Sequence, residues 1–163
     1  MIFVSTGSRK FPFDRLIKKL DELVGNNVID DEVFAQIAET QYIPQNFSYK
    51  RYISGDEFAQ YQEKADIIIS HAGTGALIGA LKKGKQVIAV PRYAHFGEHC
   101  DDHQLQISEA LTNQGYLRQV LDMEKLADVI ELCKKEPIIK RYDKPSNVIG
   151  IIENFIEKEV IKK

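Results

Sequence analysis

Hydrophobic positions along the chain alternate between two patterns: short uninterrupted apolar runs, and longer stretches in which apolar residues recur every three or four positions. Uninterrupted runs suit strands covered on both faces of a sheet, and the wider spacing suits helices that bury one side. Ile2 to Thr6 is the first run. After Gly7-Ser8 come Phe13, Leu16, Ile17, Leu20, Leu23 and Val24 at helical spacing, with Pro12 near the start and Gly25 after the end. Val33 to Ala38 and Tyr49 to Ile53 are shorter strand candidates. Ser54 with Glu57 three residues on predicts a capping box and a helix running to about Lys64.

The second half repeats the alternation. Ile67 to Ser70 reads as a buried strand that runs through His71-Ala72-Gly73-Thr74-Gly75 into a helix from about Gly75 to Lys83, with Gly84 as its stop. Val87 to Val90, closed by Pro91, is the next strand. Beyond the loop from Arg92 to Cys100, Asp101 to Leu111 predicts a helix, Tyr116 to Val120 a strand, and Met123 to Lys135 another helix. Pro145 precedes a last helix whose stripe of Val148, Ile151, Ile152, Phe155, Ile156 and Val160 packs on the sheet or docks a partner or membrane surface. The expected fold is α/β and Rossmann-like, a mostly parallel sheet of about six strands with helices on both faces, in one domain spanning residues 1–163.

Composition narrows the partners. A net charge of −2 leaves no electrostatic footprint for nucleic acid, and no stretch approaches the roughly 18 apolar residues of a membrane span. The N-terminal run is too short for a signal peptide, so a cytoplasmic protein is expected. Cys100 and Cys133 lack the spacing of a metal or redox motif and read as free thiols.

The chemistry concentrates where strands end. The glycines of His71 to Gly75 let the backbone approach a ligand, and the helix that follows points unpaired N–H groups and a partial positive charge there, so an anion is expected. Gly79 to Lys85 matches part of a P-loop, but Gln86 replaces the magnesium-binding hydroxyl and the glycines close a helix instead of opening one. Gly73 and Gly75 begin a dinucleotide fingerprint that Ile78 breaks. His95-Phe96-Gly97-Glu98-His99 fits the inverted metalloprotease motif, though Gly97 and Pro91 argue against the helix it requires. A metal-dependent hydrolase on His95, Glu98 and His99, adventitious zinc on His95, His99 and His103, a solvated loop, and a ligand-binding loop all stay open for this segment.

Ser70-His71-Ala72-Gly73-Thr74-Gly75, the strand end Val90-Pro91-Arg92, and Phe96-Gly97-Glu98-His99 followed by Asp101-Asp102-His103-Gln104 together resemble the nucleotide-sugar-binding C-terminal half of GT-B glycosyltransferases. The chain is most similar to the soluble subunit of bacterial two-component exopolysaccharide glycosyltransferases, relatives of the eukaryotic subunit that adds the second N-acetylglucosamine to the dolichol-linked oligosaccharide. The resemblance implies an inverting UDP-sugar-dependent hexosyltransferase in exopolysaccharide or capsule biosynthesis, with the UDP-sugar as donor and no metal or other cofactor. It implies that His71, Gly73, Thr74 and Gly75 hold the diphosphate, that Gly7 and Ser8 border the nucleotide, and that Glu98, His99, Asp102, His103 and Gln104 lie against the sugar. Two departures stand out. Gly79 replaces an acidic residue that grips the ribose in relatives, and Gly7-Ser8-Arg9 replaces Gly-Thr-His.

A GT-B enzyme needs two facing domains, and this chain supplies one. The acceptor half, the base and the lipid-linked saccharide acceptor are therefore expected with a membrane-associated partner subunit that recruits the chain to the inner face of the membrane. A donor-binding module with no catalytic share is the alternative, as is a core role for His71.

Overall fold

The structure, a computed structural model, describes residues 1–143. Its strands are β1 (Ile2–Ser5), β2 (Val33–Gln36), β3 (Ser48–Lys50), β4 (Ile67–Ser70), β5 (Gln86–Ala89) and β6 (Arg118–Gln119). Its α-helices are α1 (Asp14–Gly25), α2 (Gly55–Lys64), α3 (Thr74–Lys82), α4 (His103–Asn113) and α5 (Leu126–Lys135). The strands form one sheet in the order β3-β2-β1-β4-β5-β6, and every neighbouring pair is parallel. The sheet is thus wholly parallel, as strands joined by helical crossovers must be.

Each central strand is buried on both faces, which is why its sequence is an unbroken apolar run. Successive side chains point to opposite sides, so β1 sends Ile2 and Val4 into one core and Phe3 into the other. The first core contains Leu16, Ile17 and Leu20 of α1 and Leu126 and Ile130 of α5. The second contains Leu77, Ala80 and Leu81 of α3 and Leu111 of α4, with Phe58 and Tyr61 of α2 packed against it. At about 1.5–3 kcal/mol for each large side chain taken out of water, these two layers dominate the stability of the sheet.

The elements expected up to Lys135 are present, with boundary shifts that have local causes. Gly25 is the last residue of α1, and Asn27, at φ 55°, makes the left-handed turn that follows. β2 stops at Gln36 because the chain turns at Ala38, φ 44°. The expected strand Tyr49 to Ile53 is shorter and shifted to Ser48–Lys50, since Arg51 leaves the ladder and donates its guanidinium to the carbonyls of Ala38 and Thr40. The capping box of α2 is formed as expected: Ser54 Oγ accepts from Glu57 N at 3.1 Å, and the Glu57 carboxylate accepts from Ser54 N at 3.0 Å. α4 opens at His103 instead of Asp101, and α5 is preceded by a 3₁₀ turn at Met123–Lys125. The helix expected after Pro145 lies outside the described residues. Among the described residues, no helix is long and apolar enough to cross a membrane.

β1 is flanked by β2 and β4, and the chain leaves it first toward β2 and later returns to β4 on its other side. The loops that follow β1 and β4 therefore diverge, opening a crevice beyond the carboxyl ends of the strands at the point where such sheets bind ligands.

Candidate functional site

A cavity of about 460 Å³ occupies that crevice. The loop after β1 reaches it through Gly7, whose φ of 88° suits a residue without a side chain. The loop after β4 reaches it through His71 to Gly75, turned by Ala72 at φ 63°. Gly73 caps α3 with no side-chain hydrogen bond, so its first-turn N–H groups face the cavity without a protein cap.

His71 joins the two loops. Its backbone N–H donates to the Ser5 carbonyl at 3.1 Å, and its Nδ1 stands 3.2 Å from the same oxygen. A carbonyl only accepts, so Nδ1 carries the proton and Nε2 presents a bare lone pair. That nitrogen sits between the glycines: a Cβ on Gly7 would stand 2.7 Å from it, and one on Gly73 closer still. Both positions thus exclude a side chain while His71 holds this rotamer. Gly73→Ala is expected to cost about 1–3 kcal/mol by overpacking. In chemical denaturation the Gly73→Ala, His71→Ala double variant should lose at least about 1 kcal/mol less than the summed single variants, and simple additivity would refute the contact.

Arg92, just beyond the Val90-Pro91 close of β5, is the charge beneath the cavity. It is 1% exposed, its guanidinium donates to the Thr6 carbonyl, and its backbone N–H donates to Gln104 Oε1 at 3.2 Å. Among the described residues its buried Nε has no hydrogen-bond partner. Burial lowers its pKa to about 10, which leaves it charged at neutral pH. Burial first, and then the Arg92 charge, pushes His71 down to about 4, so the imidazole is neutral.

Of the residues expected from sequence, Gly7, Ser8, His71, Gly73, Thr74 and Gly75 line the cavity, and His99, His103 and Gln104 line it from the other loop. Glu98 and Asp102 do not, and their surroundings say why. Glu98 is buried against Arg15, its two oxygens accepting from Nε at 2.9 Å and Nη2 at 3.0 Å, and it also accepts from Tyr93 N at 3.1 Å. Asp102 precedes α4 and accepts from Ala94 N at 2.9 Å. Both carboxylates hold the loop in shape instead of facing the cavity.

The same geometry removes the hydrolase reading of His95, Glu98 and His99. The segment is a 3₁₀ turn at Ala94–Phe96 followed by Gly97 at φ 70°, so the two histidines do not share a helical face. Glu98 is committed to Arg15, and His95 packs on Tyr93 and Phe96.

Sequence reasoning did not single out Arg9, Gln36, Ile53, Phe58 or Arg92 as cavity residues. Arg92 carried a signal in its place directly after a strand-closing proline. Gln36 and Phe58 carried none, because they reach the cavity only through the parallel pairing of β2 and the docking of α2. Gly79 sits on α3 beside Gln62, where a Cβ would make ordinary contact at 3.6 Å.

Comparison with known proteins bears on this geometry. The profile of the glycosyltransferase family 28 C-terminal domain matches residues 1–156. UDP-N-acetylglucosamine transferase subunit ALG13 of Homo sapiens is 27% identical over 125 residues, covering 71% of this chain and 10% of that protein. The subunit of the same name from Yarrowia lipolytica is 29% identical over 106 residues, 64% of this chain and 51% of that protein. The chain therefore spans about half or less of these curated relatives. Among solved structures, MurG of Acinetobacter baumannii superposes with a TM-score of 0.67 at 17% identity, covering 96% of this chain and 49% of that one. A solution structure of ALG13 gives 0.60 at 17% identity, covering 98% and 96%. These last two likenesses establish the fold.

Proposed function

The chain belongs to the glycosyltransferase family 28 C-terminal domain family, and from that premise we propose that its cavity binds a UDP-sugar and that the chain is the donor subunit of an inverting glycosyltransferase. The observation that carries this reading is the convergence of an uncapped helix N-terminus and the buried Arg92 side chain on one cavity at the switch point of the sheet. Fixed donors and a permanent cation suit a group whose negative charge grows as a bond to it breaks. In the reaction an acceptor hydroxyl attacks the anomeric carbon from the face opposite the departing UDP. A base removes the hydroxyl proton, and the bond to the diphosphate breaks, leaving UDP at the His71 to Gly75 turn.

The acceptor and the base belong, in this reading, to a membrane-associated partner subunit, since the curated relatives are themselves named as subunits. A lipid-linked saccharide acceptor at the cytoplasmic membrane face fits such a partner. The curated relatives bear the name of UDP-N-acetylglucosamine transferase subunits, which makes UDP-N-acetylglucosamine the first donor to try. The exopolysaccharide setting rests on the resemblance carried by Ser70 to Gly75, Val90 to Arg92 and Phe96 to Gln104.

Titration calorimetry with UDP, UDP-N-acetylglucosamine and uridine tests the proposal. UDP is expected to bind at least about 100-fold more tightly than uridine, the equivalent of roughly 2.7 kcal/mol from the diphosphate. Equal affinities, or no binding of any of the three, would sink it.

A further inference from the structure

Beside the cavity, every position from 99 to 103 carries a ligand-type side chain, and with Asp102 turned to Ala94 N, four remain: His99, Cys100, Asp101 and His103. His99 Nδ1 lies 3.3 Å from Asp101 Oδ1, and His103 Nδ1 is hydrogen-bonded to that same oxygen. The ligand atoms of these three residues all lie within 4.8 Å of one another. Cys100 Sγ stands 3.4 Å from His99 Nδ1 and 3.7 Å from Asp101 Oδ2. Zinc bonds of about 2.0–2.3 Å at tetrahedral angles place ligand atoms about 3.3–3.6 Å apart. The His99–Asp101 and His99–Cys100 separations match those edges, whereas His103 must swing away from its hydrogen bond to Asp101, and His99 Nδ1 must give up the hydrogen bond it accepts from Asp101 N at 3.3 Å, to take an ion.

We infer that His99, Asp101 and His103, completed by the Cys100 thiolate, form a site for one divalent transition-metal ion of the zinc class. In the described structure a hydrogen bond joins Asp101 and His103 where the ion would bind. Two imidazoles, a carboxylate and a thiolate favour zinc, cobalt or copper over magnesium or calcium, which take oxygen ligands. The set is preorganised at one corner. The His99 side chain is 1% exposed and its ring lies against Phe11, so packing fixes its direction. Asp101 is tied to the start of α4 by accepting from His103 N at 3.1 Å.

Neither residue of the motif's exposed half supports the core: the side chains of Asp101 and His103 are 57% and 45% exposed. Variants there will fold, which makes the site testable apart from any transferase activity. The purified full chain, without nucleotide, is titrated with Co²⁺ under a non-chelating reductant and then back-titrated with Zn²⁺. The expected result is one ion per chain, the intense visible bands of tetrahedral cobalt, and a thiolate-to-cobalt band in the near ultraviolet that Cys100→Ser removes. His103→Ala and Asp101→Asn should each weaken the ion by at least about tenfold, since loss of even an outer partner of a ligand costs that much. A weak octahedral spectrum, unchanged affinity in both variants, or a near-ultraviolet band that survives Cys100→Ser would overturn the assignment.

Discussion

Arg92→Met is expected to leave the fold within about 1 kcal/mol of the wild type while weakening UDP by about 10- to 150-fold and leaving uridine nearly unchanged. The two halves of that result have separate causes. A buried cation carries a desolvation penalty that its neighbours only partly repay, so replacing it with an apolar chain of similar length costs little or nothing net. Among the described residues the guanidinium makes one hydrogen bond, to the Thr6 carbonyl, its Nε has no partner, and it lies 5.5 Å above the Phe13 ring, against which a methionine can also pack. A residue kept in so unfavourable a state is worth its cost where an anion completes it. A charge-assisted hydrogen bond contributes about 1.5–3 kcal/mol, which sets the expected loss. Denaturant midpoints and calorimetry on the same preparations check both halves. A large stability loss with equal losses for UDP and uridine would make Arg92 a structural residue only.

How much of this could be read from the chain depends on whether a feature is local. The β4 turn was legible because its strand, glycines and helix start are contiguous, and the α2 capping box because Ser54 and Glu57 are three residues apart. Cavity residues contributed by distant elements were not. Phe58 and Gln36 reach the cavity only once the sheet has assembled in its β3-β2-β1-β4 order. Glu98 and Asp102 show the converse, since position in a motif does not say which distant partners a carboxylate takes. Arg15, 83 residues upstream of Glu98, claims its charge, and Ala94 N claims an oxygen of Asp102. A loop that must hold its shape beside a ligand uses some of its polar groups on itself.

His71 is expected to make both stability and UDP affinity depend on pH, in opposite senses. Its pKa is about 4 in the folded chain, against 6.5 for an unperturbed histidine, because burial and then Arg92 disfavour the charged form. Protons therefore prefer the unfolded chain: above about pH 6.5 the histidine has no effect, and as pH falls toward 4 it destabilises the fold by up to about 2–3 kcal/mol. His99 also has a lowered pKa, and Arg9 faces His71 alongside Arg92, so the effect is isolated as the difference between the wild type and His71→Gln. That difference in unfolding free energy should grow as pH is lowered from 6.5 to 4, and a flat difference would refute it. A diphosphate reverses the preference. With Nδ1 donating to Ser5, the bare Nε2 repels an anionic oxygen until it takes up a proton, and the bound anion offsets the field of Arg92. UDP binding near and below pH 7 should therefore be accompanied by proton uptake, read from calorimetry in buffers of different ionisation enthalpy, and affinity should fall as pH rises in proportion to that uptake. In His71→Gln the uptake should vanish. Uptake that persists in the variant, or is absent from the wild type, would show that the diphosphate sits on backbone N–H groups and Arg92 without engaging this imidazole.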